Sequence, residues 1–239
     1  MPLVHHAHRE LHLKVVYYGP GLGGKTTNLE HIHAHTRPER RGKLISLATE
    51  SERTLFFDLL PVELGTFMGY QVRVHLCTVP GQIAHDRTRQ LVLRHVDGIV
   101  FVADSQPSRL AENLESIDNL ARNLRRQGDD PDVLPLVVQY NKRDLPGVLP
   151  IDELREAMRI PGWVPELEGV AVRGVGVFET MKTILKSCLK VVGDPQNAQE
   201  GRSPSILPGK RASMFPSAGR GPTPELPRPA PLPRIGEDE

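Results

Sequence analysis

Cysteine is almost absent: the 239-residue chain has two, Cys77 and Cys188, and each lies in an apolar run. A disulfide framework is thereby excluded, and two buried, reduced thiols are expected. Long hydrophobic runs are also missing. No stretch reaches the roughly 18 apolar residues of a membrane span. The opening Met1-Pro2-Leu3-Val4-His5-His6 lacks the apolar core of a secretory signal. Pro2 stands where myristoylation needs glycine, and no cysteine lies near the C-terminus, so no lipid anchor is expected. Excess charge of one sign is lacking too: 30 basic and 29 acidic residues leave a formal +1, with no global field toward nucleic acid or anionic lipid. A cytoplasmic chain with no nucleic-acid partner is expected. Ten histidines are present, and His31 and His35 share a helix face, but without H-E-x-x-H or a cysteine partner they read as solvated rather than metal-binding. The single tryptophan, Trp163, lies in a Pro-Gly-rich segment and reads as a loop anchor.

What is present points to one globular domain with a tail. Hydrophobic residues make up 38% of the chain, enough for one core but cramped for two. Apolar runs alternate with amphipathic stretches as far as residue 192, the pattern of strands and crossover helices around a mainly parallel, twisted α/β sheet with helices on both faces. Strands are expected over Leu11 to Tyr18, Leu44 to Ala48, Tyr70 to Val79, Gly98 to Asp104 and Leu134 to Tyr140, with a weaker one at Gly169 to Val172. Helices are expected over Lys25 to His35, Ile83 to His95, Ser108 to Gln127, Ile151 to Met158 and Val177 to Val192. Leu110, Leu114, Ile117, Leu120, Ala121 and Leu124 form an i, i+3, i+4 stripe that should pack on the sheet. Beyond Gly193 proline, glycine, serine and arginine dominate, and the apolar content is too low to offset ordering. Residues 194–239 are therefore expected to be a disordered tail to a 1–193 domain. Its Pro224-Glu225-Leu226-Pro227 is a bare P-x-x-P, better read as spacer than as docking peptide. No internal repeat is visible.

Chemistry enters at Gly19-Pro20-Gly21-Leu22-Gly23-Gly24-Lys25-Thr26, which fits G-x-x-x-x-G-K-[ST] between a strand and a helix. Glycines let the backbone wrap a phosphate chain so that its N–H groups face the oxygens, and the helix N-terminus adds a favourable dipole. In this pattern Gly21, Leu22, Gly23, Gly24, Lys25, Thr26 and Thr27 line the phosphates. Lys25 reaches the β and γ phosphates, and the Thr26 hydroxyl ligates Mg²⁺. The loop alone leaves ATP and GTP open.

Asn141-Lys142-Arg143-Asp144 follows another strand and matches N-K-x-D, the guanine-reading sequence of Ras-like GTPases. An ionised carboxylate only accepts, so Asp144 suits guanine N1–H and the exocyclic amine, a donor pair that adenine lacks. Leaving that acceptor unpaired against the wrong base discriminates strongly. A third base-side element is expected before the last helix, in Val170-Ala171-Val172-Arg173-Gly174, where the Ala171 N–H would meet guanine O6.

Pro80-Gly81-Gln82 occupies the place of D-x-x-G-Q in Ras-like proteins. There Gly81 senses the γ phosphate through its N–H, and Gln82 orients the attacking water. The usual metal-side aspartate is replaced by Thr78, and Glu50, Glu52 or Asp58 would have to supply a carboxylate in its stead. In Ser51 to Asp58, where a first switch should lie, Thr54 is a second candidate for a Mg²⁺-side hydroxyl. Arg53 beside it reads, from the residues alone, as a surface arginine.

Together Val15 to Leu22, Gly24 to Leu29, Gly42 to Leu47, Arg53 to Asp58, Thr78 to Gln82 and Gln139 to Asp144 resemble the MglA-type bacterial gliding-motility small GTPases, over about residues 9–192. The resemblance includes Thr78, which is a trait of that family. It implies a Ras-like P-loop fold, with bound GTP or GDP and Mg²⁺. It also implies that Arg53 is an intrinsic arginine finger acting with the catalytic Gln82 and Lys25. The implied partners are a homodimeric roadblock-type GTPase-activating protein of MglB kind and downstream polarity and motility effectors, with recruitment to a cell pole. The implied activity is slow GTP hydrolysis timing a conformational switch. The alternative is a guanine-nucleotide-dependent effector-binding module with negligible hydrolysis. The tail beyond residue 193 has no counterpart in the family.

Overall fold

The computed structural model describes residues 3–47, 57–81 and 86–193. Its strands are β1 (Leu3–His5), β2 (Glu10–Tyr18), β3 (Ile45–Leu47), β4 (Phe57–Phe67), β5 (Tyr70–Thr78), β6 (Gly98–Asp104), β7 (Leu136–Asn141) and β8 (Glu166–Glu168). The helices are α1 (Lys25–His35), α2 (Asp86–Leu93), α3 (Leu110–Gln127), α4 (Ile151–Ala157) and α5 (Val177–Gly193), with short 3₁₀ turns at Pro38–Arg40, Pro107–Arg109 and Ala171–Arg173.

The strands form one sheet in the order β3-β4-β5-β2-β6-β7-β8. β5, β2, β6, β7 and β8 run parallel, while β4 is antiparallel to both neighbours. β1 pairs antiparallel with the first half of β2, from Glu10 to His12, before β6 joins that strand at Val15. Side-chain alternation with period two splits the core into two layers. Leu11, Leu13, Val15 and Tyr17 face α1 and α5, where they meet Leu29, Ile32, Met181, Ile184 and Cys188. Val16 and Tyr18 face the other layer, with Leu93 of α2, Ile117, Leu120, Ala121 and Leu124 of α3 and Leu154 of α4. The helical stripe expected on Ser108 to Gln127 therefore packs on the sheet, and both cysteines are buried thiols.

Three elements differ from the sequence reading, the first being β1 (Leu3–His5), where no strand was expected. The strand expected at Gly169 to Val172 lies earlier, at Glu166–Glu168, and Ala171–Arg173 is a 3₁₀ turn instead. Apolar content marks buried strands, but β8 is an edge strand flanked by glutamates, while the short apolar run after it is broken by left-handed glycines at 174 and 176. The eleven-residue β4 was hidden by Pro61 and Gly65. Proline cannot donate to a ladder and glycine marks irregularity; here the register shifts between Glu63 and Gly65, and Pro61 contributes its carbonyl to the Gly42 N–H at 2.9 Å. β4 returns into β5 through Met68-Gly69, both at positive φ, the backbone a tight two-residue hairpin needs.

This topology brings the carboxyl ends of β2, β5, β6 and β7 to one edge of the sheet. Tyr17 pairs with Thr78, Tyr18 with Phe101 and Asp104 with Asn141. Ligand sites of open α/β sheets lie at that edge.

Candidate nucleotide site

The loop from Gly19 to Gly24 leaves β2 and enters α1 with no side-chain cap and no acidic residue in the first turn, so the free N–H groups there are kept for an anion. Leu22 sits at φ 61° with its side chain 87% exposed, which leaves only its backbone to serve the loop. Gly24 is left-handed at φ 100°, and a Cβ there would collide with the Asn141 side-chain amide. Thr26 and Thr27 follow Lys25 in the first turn of α1.

Lys25 is buried, and its ammonium donates to the carbonyls of Gly19 at 3.0 Å and Pro20 at 2.6 Å. Burial, followed by the Arg89 guanidinium, pushes it down to about 7, against the opposing attraction of Asp58. A cation so placed gains most from a polyanion that restores its charge.

Three expected site residues, Arg53, Thr54 and Gln82, lie outside the described residues, as do Glu50 and Glu52 and the tail 194–239. Of the three carboxylates considered for the metal side, Asp58 on β4 is the one within the described residues, and it stands at the loop. Its Oδ2 accepts from the Thr26 hydroxyl at 2.7 Å and from the Thr78 hydroxyl at 2.9 Å. Its Oδ1 accepts from Ser46 at 2.7 Å, and its backbone N–H donates to Thr78 Oγ1 at 2.8 Å. Thr78 thus has the role of holding a carboxylate that arrives from the neighbouring strand.

Gly81, after β5, packs directly on the loop: a Cβ there would overlap the Gly21 backbone. On the other flank Asn141 joins the two halves of the site. Its Nδ2 donates to the Gly23 carbonyl at 2.8 Å, and its Oδ1 accepts the Ala171 N–H at 2.9 Å. The Ala171 N–H, expected to face a guanine carbonyl, is therefore engaged by Asn141. Among the described residues the Asp144 carboxylate meets only Arg173, at 3.7 Å, and that arginine is 70% exposed. A solvated pair of this kind is weak and yields readily to a better donor.

Sequence reasoning placed Lys142 in the base motif but missed several residues that support it. Lys142, at φ 65°, donates to buried Asp104 at 2.6 Å. Arg109 lies 3.9 Å from the same carboxylate and donates to the Gly21 carbonyl at 2.7 Å, so polar contacts run from the base motif to the phosphate loop. An acid ending the otherwise apolar strand β6 was the available signal. Asn28 and Gln139 exchange amide hydrogen bonds at 2.9 and 3.0 Å, fastening α1 to the strand that carries the base motif. Arg89 is fully buried behind Gly81 and bonds the carbonyls of Pro80 and Gly81.

No protein-family profile matches the chain. The mutual gliding-motility protein MglA of Myxococcus xanthus is 52% identical over 189 residues, 79% of this chain and 96% of the relative. ADP-ribosylation factor-like protein 4C of human and of mouse is 27% identical over 184 residues, 74% of this chain and 88% of each relative. No helix among the described residues is long and apolar enough to cross a membrane. Identity of this extent to the Myxococcus protein, joined to a phosphate loop and a base motif on one edge of the sheet, shows that the chain belongs to the MglA family of Ras-like small GTPases.

Proposed function

We propose that the chain binds GTP and GDP at this edge and hydrolyses GTP slowly, as a switch that governs cell polarity or gliding motility. The observation that carries the reading is the Asn141 side chain, which bonds the phosphate loop at Gly23 and the base-side turn at Ala171. Phosphate loop and base-side turn are thereby joined through one side chain, as a single nucleotide spanning both requires.

Asp144 reads the guanine edge, and Asn141 and Lys142 brace the base pocket against Gly23 and Asp104. Gly21 to Thr27 cradle the phosphates, and Lys25 neutralises the β and γ oxygens. A magnesium ion suits the donors present, since the Thr26 hydroxyl and Asp58 carboxylate are hard oxygen ligands facing one another at 2.7 Å. When bound, the ion neutralises charge on the phosphates; Thr26 and Thr54 would hold it, with Asp58 supplying the carboxylate that Thr78 lacks. Gln82 orients the attacking water, Gly81 senses the γ phosphate and Arg53 stabilises charge in phosphoryl transfer.

The switch acts through a homodimeric roadblock-type partner of MglB kind that stimulates hydrolysis, and through effectors that place the protein at a cell pole. Residues 1–193 form the GTPase domain and 194–239 a tail that works as a spacer. The test is GTP turnover by the full chain with and without a roadblock-type partner. Acceleration that is lost in Arg53→Ala, with nucleotide affinity intact, is the expected result. Tight GTP binding with no turnover under either condition would instead indicate an effector-binding module.

A further inference from the structure

Arg89 is an unusual arginine. It stands on α2, is 0% exposed, and lies with its Cζ 5.3 Å from the Tyr18 ring centroid. Among the described residues its guanidinium meets no carboxylate directly. Nε donates to the Pro80 carbonyl at 2.9 Å, Nη2 to the Gly81 carbonyl at 2.5 Å and Nη1 to Asn119 Oδ1 at 2.8 Å. Tyr18 also donates its hydroxyl to that Asn119 oxygen. Negative charge is reached one step later, because Asn119 Nδ2 donates to Asp86 Oδ1 at 2.9 Å and Asn123 donates to the same oxygen at 2.7 Å. Placing a guanidinium among neutral acceptors in the interior is costly, and an apolar side chain would fill the same layer without that cost.

The two backbone acceptors explain the arrangement. Pro80 C=O and Gly81 N–H belong to one peptide unit, and no cis bond occurs among the described residues, so the two groups point in opposite directions. With the carbonyl pinned to Arg89, the Gly81 N–H is turned away from that guanidinium, and Gly81 itself packs on Gly21 of the phosphate loop. No carbonyl among the described residues accepts that N–H. The second bond, to the Gly81 carbonyl, holds Gly81 at its other end as well.

We infer that Arg89 is the positioning residue of the γ-phosphate sensor: by gripping the Pro80 and Gly81 carbonyls from behind, it presents the Gly81 N–H to the terminal phosphate of a nucleoside triphosphate. The inference rests on the nucleotide-site reading above. A planar guanidinium is required because its separate N–H groups reach three acceptors along a fork, which a lysine ammonium on one point cannot do. The bond it prepares reaches a phosphate present in GTP and absent from GDP, so Arg89 sets discrimination between the two rather than affinity for both.

The experiment measures the affinity of the full chain for GDP and for a non-hydrolysable GTP analogue, in the wild type and in Arg89→Lys. Loss of one hydrogen bond to a charged acceptor predicts analogue affinity lower by roughly ten- to a hundredfold, with GDP affinity unchanged. Equal loss for both ligands, the mark of a merely structural residue, overturns the inference, and so does no loss for either. A wild type that binds neither ligand overturns the nucleotide-site reading together with it. If Arg89→Lys fails to fold, NMR on the labelled wild-type protein decides. A hydrogen-bond coupling from Arg89 Nε–H to the Pro80 carbonyl in the analogue complex supports the inference, and its absence there overturns it.

Discussion

Replacing Asp58 by asparagine separates the metal role of its carboxylate from its structural role. Asparagine keeps the shape and one acceptor oxygen, and the hydroxyls of Thr26, Thr78 and Ser46 can each rotate to donate or accept. The backbone bond from residue 58 to Thr78 Oγ1 at 2.8 Å does not involve the side chain and persists. Stability should therefore fall by less than about 1 kcal/mol. Asp58→Ala is the harsher control. Thr78 is 2% exposed and loses its acceptor, at about 1–3 kcal/mol, whereas Thr26 and Ser46 are exposed and turn to water. For a domain of this size that is about 2–4 °C in Tm per kcal/mol. The negative charge is lost in both variants. A carboxylate beside a bound ion is worth roughly 10- to 100-fold in metal affinity, so the Mg²⁺ concentration that half-maximally slows GDP release should rise by that factor in Asp58→Asn. Release is followed with a fluorescent GDP over a Mg²⁺ series, and Mn²⁺ binding by electron paramagnetic resonance reads the site independently of turnover. Because Asp58 Oδ2 lies 2.9 Å from Thr78 Oγ1, adding Thr78→Asp to Asp58→Asn returns a carboxylate to the same place and should recover metal affinity. An unchanged Mg²⁺ midpoint in a folded Asp58→Asn protein would refute the reasoning.

Three further outcomes follow from the site. Lys25 is held near about 7 in the folded, ligand-free chain against an ordinary 10.5, so above about pH 7 it is largely neutral and must take up a proton when a polyanion binds. Affinity should then weaken by up to about tenfold per pH unit above that point, and calorimetry at pH 8 in two buffers of different ionisation enthalpy should show uptake near one proton; zero uptake contradicts the burial argument. The same shift makes the unfolded chain bind more protons between about 7 and 10.5, so this lysine's contribution to stability rises with pH across that window. Gly24→Ala meets both a left-handed backbone at φ 100° and the Asn141 amide, and should cost about 1–3 kcal/mol in thermal unfolding together with most nucleotide affinity. Asp144→Asn should shift preference from guanosine toward xanthosine nucleotides in competition binding, and unchanged selectivity removes Asp144 from base reading.

Much of this protein was legible as local text. A phosphate loop is a run of consecutive residues whose glycines and lysine act through the backbone they share, so Gly19 to Thr26 announced itself. Lys25–His35, Gly98–Asp104 and the stripe on α3 were readable because a helix or buried strand imprints its own period on the chain. Asn141 and Asp144 were readable as local text too, being the first and last of four consecutive residues at the end of β7. Partial burial blurred the rest: β8 is an edge strand with a single apolar residue, and β4 contains a proline and a glycine that a central strand rarely tolerates.

The tertiary structure decided which distant groups share a site. Sequence left Glu50, Glu52 and Asp58 open for the missing carboxylate; among the described residues, the antiparallel pairing of β4 with β5 brings Asp58 to Thr78 and Thr26, 20 and 32 residues away along the chain. Arg89 lies within the helix expected over Ile83 to His95, with no local signal to single it out, and only the closure of α2 and α3 on the sheet turned it inward to Pro80, Gly81 and Asn119. The physical reason is common to both. Periodicity and motifs report what neighbouring residues require of one backbone, whereas a hydrogen bond across strands or layers depends on register and packing, which no single stretch of sequence contains.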